Sequence, residues 1–180
     1  MTASHFWIGV ECMPASVVQD AASHPRPILC GNLDDAADMR SALADSLEQA
    51  EWHDLLLASP IGRGCLLDLL RQRGPIEHIV LALPAISCAS LKSAYGTSRP
   101  LDDVLSETGH AIEGLITVLR GAEATLDASA GAGLTLLRAD LAAASSPVAR
   151  ALGAFADEWI ASEAGRWATL GLSLSQMSRK

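Results

Sequence analysis

The run at residues 76–83, IEHIVLAL, constrains the fold more than any other stretch of this 180-residue chain. Its apolar residues are almost continuous, whereas a strand with one side in water would alternate apolar and polar residues. Runs of this kind are typical of strands buried on both faces of a parallel sheet. Parallel strands need long crossover connections, which are usually helices. The run therefore predicts an α/β protein with helices on both faces of a mostly parallel sheet.

Five further segments are predicted to be strands, and a helix is predicted between each strand and the next. The strand segments are short and end near turn residues; they are residues 5–11, 28–30, 54–58, 134–137 and 172–176. The helices are predicted at residues 14–22, 35–51, 65–73, 100–126 and 147–170. Strands that alternate with helices imply right-handed crossovers. The sequence thus predicts a single domain over residues 1–180, a Rossmann-like, doubly wound parallel sheet of about six strands.

The last of these helices carries an aromatic stripe. Phe155, Trp159 and Trp167 recur with aliphatic residues at spacings of three to five positions, which places them along one side of the helix. Three of the seven aromatic residues of the chain lie here. A helix with this stripe packs against a large apolar surface, either the core of this chain or another subunit.

Charge and cysteine content exclude several classes of function. The net charge is −8 and the only lysines are Lys92 and Lys180, so the chain lacks the basic patch that binds nucleic acid or an anionic membrane. The four cysteines lack C-x-x-C spacing, which favours free thiols in a reducing cytoplasm and no bound metal. Neither a signal peptide nor an apolar run of about 18 residues is seen. These features predict a soluble, cytoplasmic protein.

Four segments together resemble the short-chain dehydrogenase/reductase family over nearly the whole chain. They are GPIEHIVLALP at residues 74–84, RPLDDVLSETGHAIEGLITVLRGAEATL at 99–126, GAGLTLLRADL at 131–141 and ARALGAFADEWIASEAGRWATLGLSLSQMS at 149–178. They are similar to the family's fourth strand, the crossover helix after it, the fifth strand, and the active-site helix with the sixth strand. The resemblance implies a Rossmann-like fold that stops here after the sixth strand, where the family continues into a seventh.

The chain departs from the family at the positions that hold its cofactor. Family members bind the dinucleotide pyrophosphate with a glycine-rich turn after the first strand. Here that turn reads Glu11, Cys12, Met13 and Pro14, which presents a carboxylate and a proline without an N–H. The asparagine-rich end of the family's fourth strand is replaced by LALP at residues 81–84. The expectation is that the NAD-binding motif is lost and that this chain binds no cofactor.

The catalytic residues of the family are also absent. The family's serine falls near Ala139 or Asp140, and its Tyr-x-x-x-Lys pair falls on Ala149 and Gly153. In the family the tyrosine donates a proton and the lysine lowers its pKa, which alanine and glycine cannot do. The only tyrosine, Tyr95, lies far upstream. The resemblance therefore implies a pseudoenzyme, a dehydrogenase fold without catalytic residues.

A subunit interface is implied by the same resemblance. Family members associate by pairing two long helices with their two-fold mates in a four-helix bundle, and both helices keep apolar stripes in this chain. The residues expected at the interface are Leu115, Leu119, Phe155, Trp159 and Trp167. The alternative is that both stripes cover the chain's own sheet, and the two explanations can hold together.

These expectations combine into the hypothesis of a non-catalytic subunit in an oxidoreductase complex. Its partner is expected to be an active paralogue that binds NAD(P), in a hetero-oligomer such as a tetramer. The chain is similar in kind to the inactive subunit of the heteromeric 2-[hydroxy(phenyl)methyl]succinyl-CoA dehydrogenase of toluene and benzylsuccinate degradation, so the implied activity of the complex is that of a hydroxyacyl-CoA dehydrogenase. Two alternatives stay open. One is an enzyme with a relocated active site near Cys88, Tyr95 and Arg99, or near His110; the other is a stand-alone ligand-binding protein.

Two pairs of residues suggest sites but have simpler explanations. Gly62 and Gly64 follow a predicted strand and could form a shifted phosphate loop, but a lone G-x-G fits the turn that begins a helix better. His53 and Asp54 are neighbours in sequence, and adjacent strand residues point to opposite faces. A proton-transfer pair is therefore not expected there.

Two further histidines are also explained without chemistry. His78 lies in the most apolar strand and is expected to be a core histidine with a satisfied hydrogen bond. His110 and Glu113 are three positions apart on a predicted helix, a spacing typical of a surface pair. Neither position is predicted to bind a metal.

Overall fold

The computed structural model describes residues 4–86, 101–138 and 147–178, which form one parallel sheet of six strands with helices on both faces. The strands are β1 Ser4–Ile8, β2 Ile28–Gly31, β3 Glu51–Asp54, β4 Ile76–Ala82, β5 Gly133–Arg138 and β6 Ser173–Ser178. They are arranged in the order β3-β2-β1-β4-β5-β6. The direction of winding reverses between β1 and β4, as in doubly wound nucleotide-binding folds. The predicted six-stranded, Rossmann-like sheet is confirmed.

Within the residues that the structure describes, five α-helices connect the strands. They are α1 Ala15–Gln19, α2 Ala37–Ala42, α3 Pro60–Arg73, α4 Leu101–Glu123 and α5 Pro147–Thr169. Short 3-10 turns occupy Val10–Cys12, Asp20–Ser23, Leu83–Ile86 and Ala128–Ala130. Gly171 follows α5 in the left-handed conformation, with φ of 75°, and ends that helix as the sequence predicts. Within the described ranges, no helix combines the length and apolarity needed to cross a membrane.

The sheet separates two apolar cores because successive side chains of a strand point to opposite faces. On β4, Ile79 and Leu81 belong to the core under α3, α4 and α5, whereas Val80 belongs to the core under α1 and α2. Ile79 and Leu81 are fully buried and Val80 is 6% exposed. The prediction that this strand is buried on both faces is confirmed.

The third strand differs from the prediction in its position. The strand was expected at residues 54–58 but lies at Glu51–Asp54, where it pairs with β2. Pairing with β2 sets its position: the Glu51 N–H donates to the Pro27 carbonyl, and the Leu55 N–H donates to the Gly31 carbonyl. The apolar run that follows instead forms a turn. Its Leu57 side chain is fully buried there.

The predicted helix at residues 35–51 is six residues long, Ala37–Ala42, and turns follow it. Leu43 and Leu47 are still buried, so the apolar periodicity here comes from residues that pack on the core and not from a continuous helix. Asp45 and Ser46 lie where the helix was expected to continue, and such side chains compete for backbone hydrogen bonds in non-helical conformations. The helix prediction was wrong for its second half.

Candidate functional site

The carboxyl ends of β1 and β4 are the place where a doubly wound sheet usually opens a ligand crevice. In this chain a 3-10 turn follows each of these strands, Val10–Cys12 after β1 and Leu83–Ile86 after β4. Val10 is fully buried, Leu83 is 3% exposed and Ile86 is 1% exposed. Among the described residues, protein side chains therefore fill the switch point itself.

Gly9 allows the two turns to approach each other. Its φ is 84°, a left-handed conformation that favours glycine. A Cβ at this position would lie 2.5 Å from the Cβ of Ala85. The glycine that follows the first strand thus brings the backbone against Ala85, where the glycines of a dinucleotide-binding turn would bring it against phosphate.

Glu11 lies beside this closed point, against the end of β2. The backbone N–H groups of Glu11 and Asn32 favour the charged form of its carboxyl group and partly offset the effect of burial on its pKa. One oxygen, Oε2, is buried and has no hydrogen-bond partner within the described residues. Burial, with smaller contributions from Asp35 and Asp54, raises the pKa of Glu11 to about 7. A dinucleotide phosphate would meet an acidic side chain here.

The two positions of the family's Tyr-x-x-x-Lys motif lie in the first turns of α5. Ala149 is half-buried and Gly153 is buried, and neither carries a side chain that transfers a proton. The other positions discussed for catalysis lie outside the described residues: Cys88, Tyr95, Arg99, Ala139 and Asp140. A relocated active site near Cys88, Tyr95 and Arg99 therefore stays a prediction.

An open cleft of about 780 Å³ lies between α3 and α4. Pro60, Leu67 and Ile86 contribute its apolar lining, and His110 and Glu113 contribute polar groups from α4. The sequence prediction treated His110 and Glu113 as a surface pair. Both are exposed, and the structure places both at this cleft.

Arg63 is the cleft residue that the sequence analysis missed. Its Nη1 donates hydrogen bonds to the Leu57 and Ala58 carbonyls, each at 3.0 Å. The guanidinium also lies against Gly114, where a Cβ would be 3.0 Å from its Cζ. Arg63 thus ties the turn after β3 to α3 and α4. A basic side chain between two glycines in the IGRG run was the available signal.

The G-x-G formed by Gly62 and Gly64 is explained by the start of a helix rather than by a phosphate loop. Ser59 caps α3, because its Oγ accepts a hydrogen bond from the Gly62 N–H at 2.9 Å. A Cβ on Gly62 would collide with the Leu56 carbonyl. Gly62 is therefore required by the start of the helix. The helix begins at Pro60, five residues before its predicted start.

The two histidines that were expected to be structural have structural partners. His53 Nε2 lies 2.8 Å from Glu51 Oε1, whereas Asp54 Oδ1 accepts from the Leu33 N–H at 3.1 Å. These separate partners agree with the prediction that His53 and Asp54 do not act as a pair. His78 Nε2 lies 3.0 Å from Thr135 Oγ1, so the prediction of a satisfied core histidine is confirmed.

Three of the five predicted interface residues lie inside this chain. Leu115 and Trp167 are 0% exposed and Leu119 is 1% exposed. A side chain without exposed area cannot contact a second chain in this arrangement, so these three cover the chain's own sheet. Phe155 and Trp159 are only partly buried, and Trp159 meets the Trp167 ring edge-on with centroids 5.9 Å apart. An interface at Phe155 and Trp159 stays a prediction.

Metal-ligating side chains do not converge in the part of the chain that the structure describes. No group of three or more His, Cys, Asp or Glu side chains there is arranged to hold a metal ion. The described cysteines, Cys12, Cys30 and Cys65, form no disulfide bond with one another. Burial raises the pKa of the Cys30 thiol, which keeps it protonated and unreactive at neutral pH.

The strand order, with its reversal of winding between β1 and β4, defines the class of this protein: a doubly wound, Rossmann-type α/β protein. Its particular fold is that of the short-chain dehydrogenases/reductases, as comparison with solved structures shows. The identities are below 25%, so the comparison establishes the fold and not the chemistry. No protein-family model and no curated protein matches the sequence.

Three of the similar structures illustrate the match. A short-chain dehydrogenase/reductase of unknown function from Caenorhabditis elegans, solved with cofactor, has a TM-score of 0.69 at 15% identity, over 98% of this chain and 69% of that one. YwfH, an NADPH-dependent reductase of bacilysin biosynthesis, has a TM-score of 0.69 at 10% identity, over 99% and 77%. A metagenomic short-chain oxidoreductase in complex with NADP has a TM-score of 0.66 at 13% identity, over 99% and 82%.

Proposed function

We propose that this chain is a non-catalytic subunit with a short-chain dehydrogenase/reductase fold, and that it assembles with an active NAD(P)-dependent paralogue. The observation that carries the proposal is the occupied switch point: Gly9 packs on Ala85, and the acidic Glu11 lies beside them. Within the described residues, this arrangement places a packed contact and a carboxyl group where a dinucleotide-binding turn would present backbone N–H groups to the pyrophosphate. The cofactor then belongs to the partner, whose structure or substrate pocket this subunit supports.

The outer side of α4 and α5 is the surface proposed for the partner. The two helices pack side by side, and Arg166 on α5 binds Glu123 on α4. Leu105 on α4 is 60% exposed, and Phe155 and Trp159 on α5 are partly exposed. Partly exposed apolar side chains on two adjacent helices suit a four-helix contact with a second subunit.

The activity of the complex is also part of this proposal. Solved structures with this fold include an NADPH-dependent reductase and a complex with NADP, which supports a nicotinamide cofactor in the partner. The sequence resemblance to the inactive subunit of a heteromeric hydroxyacyl-CoA dehydrogenase supports an oxidoreductase complex of that kind, in the breakdown of aromatic compounds such as toluene.

The test is to isolate the complex from the native cell with this chain tagged and to determine its mass and composition. We expect a hetero-oligomer, such as a tetramer, with a second short-chain dehydrogenase. The same purification of Trp159→Ala should recover at least about tenfold less partner, because aromatic anchors contribute most to such interfaces. Trp52→Ala, at the opposite edge of the sheet, is the matched control and should recover the partner normally.

Titration with NADH and NADPH is the second test of the proposal. The isolated chain should bind neither nucleotide, and the complex should bind through its partner. A homo-oligomer of this chain that binds and oxidises NAD(P)H unaided would overturn the proposal. In that case the search for an active site would begin with Tyr95→Phe, which tests the relocated-site alternative.

The cleft between α3 and α4 supports a second candidate, a stand-alone ligand-binding protein. Its volume of about 780 Å³ falls in the range of small-molecule pockets. Gly64 lines it and a Cβ there would meet nothing within 4 Å, so Gly64→Phe would fill the cleft without disturbing α3. Tight binding of a metabolite by the isolated wild-type chain, lost in this variant and without turnover, would favour this candidate over the subunit role.

A further inference from the structure

Three of the five histidines of the chain meet at the amino-terminal end of the sheet, away from the crevice. His5 lies on β1 and pairs in register with His78 on β4. His24 lies in the connection between the Asp20–Ser23 turn and β2. We call these three residues the histidine cluster.

Ring contacts connect His24 to the first strand. Its ring centroid lies 4.1 Å from that of His5, with an angle of 37° between the ring planes. The Trp7 ring also contacts it, with centroids 5.3 Å apart. The backbone N–H of His24 donates to the Ala21 carbonyl, within the same short segment. The His24 ring therefore contacts β1 directly, and Ala21 of the same segment is buried in the core beside Trp7.

The two strand histidines of the cluster have one nearby carboxylate among the described groups to balance a proton. His5 is 9% exposed, and its buried Nδ1 has no hydrogen-bond partner within the described residues. Its Nε2 lies 3.6 Å from Glu77 Oε2, and Glu77 has a side chain that is 47% exposed. Among the described groups, His24 and Glu77 act on His5, and His5, His24 and Glu77 act on His78. Asp45 and Glu48 line the pocket beside His24, whereas the carboxylate that acts on the two strand histidines is Glu77.

The environment favours the neutral form of the two strand histidines. Burial lowers the pKa of His5, and His24 lowers it further, whereas Glu77 acts in the opposite direction. Burial also lowers the pKa of His78, with His5 and His24 adding to the effect. A group with a lowered pKa in the closed state binds its proton more readily once that state opens. The closed arrangement is consequently weakened as pH falls below the ordinary histidine value of 6.5.

We propose that the histidine cluster is a proton-sensitive latch, which holds residues 20–26 against β1 at neutral pH and releases them on acidification. His5 and His78 cannot separate, because each belongs to a central strand with hydrogen bonds on both sides. His24 instead lies in a short connection that precedes β2 and belongs to no strand. Repulsion between imidazolium groups about 4 Å apart is therefore relieved by movement of the segment that carries His24.

Hydrogen exchange of the full-length chain tests the latch, measured by mass spectrometry at pH 7.5 and pH 5.5. Rates are divided by the intrinsic exchange rate at each pH, so that only the change in protection remains. We expect peptides covering residues 20–26 to lose protection severalfold at the lower pH, because the lowered pKa of His5 and His78 in the closed state favours the open state there. Peptides of α3, on the other face of the sheet, should change little.

Two variants separate the latch from general acid sensitivity. His24→Gln removes the third imidazole and should leave the protection of residues 20–26 nearly independent of pH, whatever its value at pH 7.5. His53→Gln is the matched control, since His53 bonds to Glu51 on the edge strand, and it should behave as wild type. Equal protection of the wild-type segment at both pH values would overturn the proposal, and so would an unchanged pH dependence in His24→Gln.

Discussion

Gly9 and Ala85 touch across the point where the winding of the sheet reverses: a Cβ on Gly9 would lie 2.5 Å from the Cβ of Ala85. Gly9 follows the first strand and Ala85 follows the fourth, so the contact closes the carboxyl edge between them. A doubly wound sheet with an open edge at this point has room for a ligand. Here the same backbone scaffold uses that position for packing.

Substituting Gly9 tests how tightly this point is closed. Gly9→Ala should destabilise the fold by about 2–4 kcal/mol, because the alanine must adopt a left-handed φ and also overpacks Ala85. Gly131→Ala is the matched control. Gly131 has φ of 68° and a Cβ there would meet nothing within 4 Å, so only the backbone cost of about 1–2 kcal/mol is expected. Urea unfolding measures both, and equal losses would mean that the Ala85 contact is not tight.

Glu11 should make stability depend on pH around neutrality. Its pKa is raised from 4.5 to about 7, so its stabilising contribution is complete below pH 4.5 and is lost as pH rises through about 7. We expect Glu11→Gln to be more stable than wild type by about 1–3 kcal/mol at pH 8 and to differ little at pH 5. Urea unfolding from pH 5 to 8 measures this. Glu48→Gln, at an exposed position, should show no such pH-dependent difference in stability from wild type.

The two tryptophans of the α5 stripe should behave differently. Trp167 is fully buried, so Trp167→Ala leaves a cavity and should cost about 3–5 kcal/mol of stability in the isolated chain. Trp159 is only partly buried, and Trp159→Ala should cost less than half as much. Thermal unfolding of the isolated variants makes the comparison. A larger loss for Trp159→Ala would place that ring in the core and remove it from the proposed interface.

Arg63 should stabilise the junction of α3, α4 and the turn after β3. Arg63→Ala leaves the Leu57 and Ala58 carbonyls without this donor, and we expect a loss of about 1–3 kcal/mol. Arg71→Ala, which breaks an exposed pair with Asp68 on the same helix, should change stability by less than about 0.5 kcal/mol. Denaturant titration of both variants tests the difference. Similar small effects would show that Arg63 does not support the cleft.

The order of the elements and the buried centre of the sheet were predicted from the sequence. The run at residues 76–83 is apolar on both faces, and that local pattern is sufficient to make β4 a central strand. Gly171 ends α5 through its own φ, as the sequence predicts. Such features depend on neighbours a few residues away, so the sequence contains all of the information that they need.

The position of β3 was decided by tertiary structure. Its four residues are less apolar than the run that follows, yet they form the strand because β2 offers its hydrogen bonds at that register. The same holds for the interface prediction. Periodicity places Leu115 and Trp167 on an apolar stripe, but only the packing of α4 and α5 on the sheet shows that the chain itself buries them.

Amino-acid sequence by itself determined the alternation of strands and helices and the doubly wound class of the fold. Tertiary structure alone decided the contact of Gly9 with Ala85, the position of Arg63 at a cleft and the meeting of His5 with His24 and His78. The physical reason is the distance along the chain between the residues that interact. Periodicity and caps arise from residues within one or two turns, whereas these contacts join residues brought together only when the strands pair.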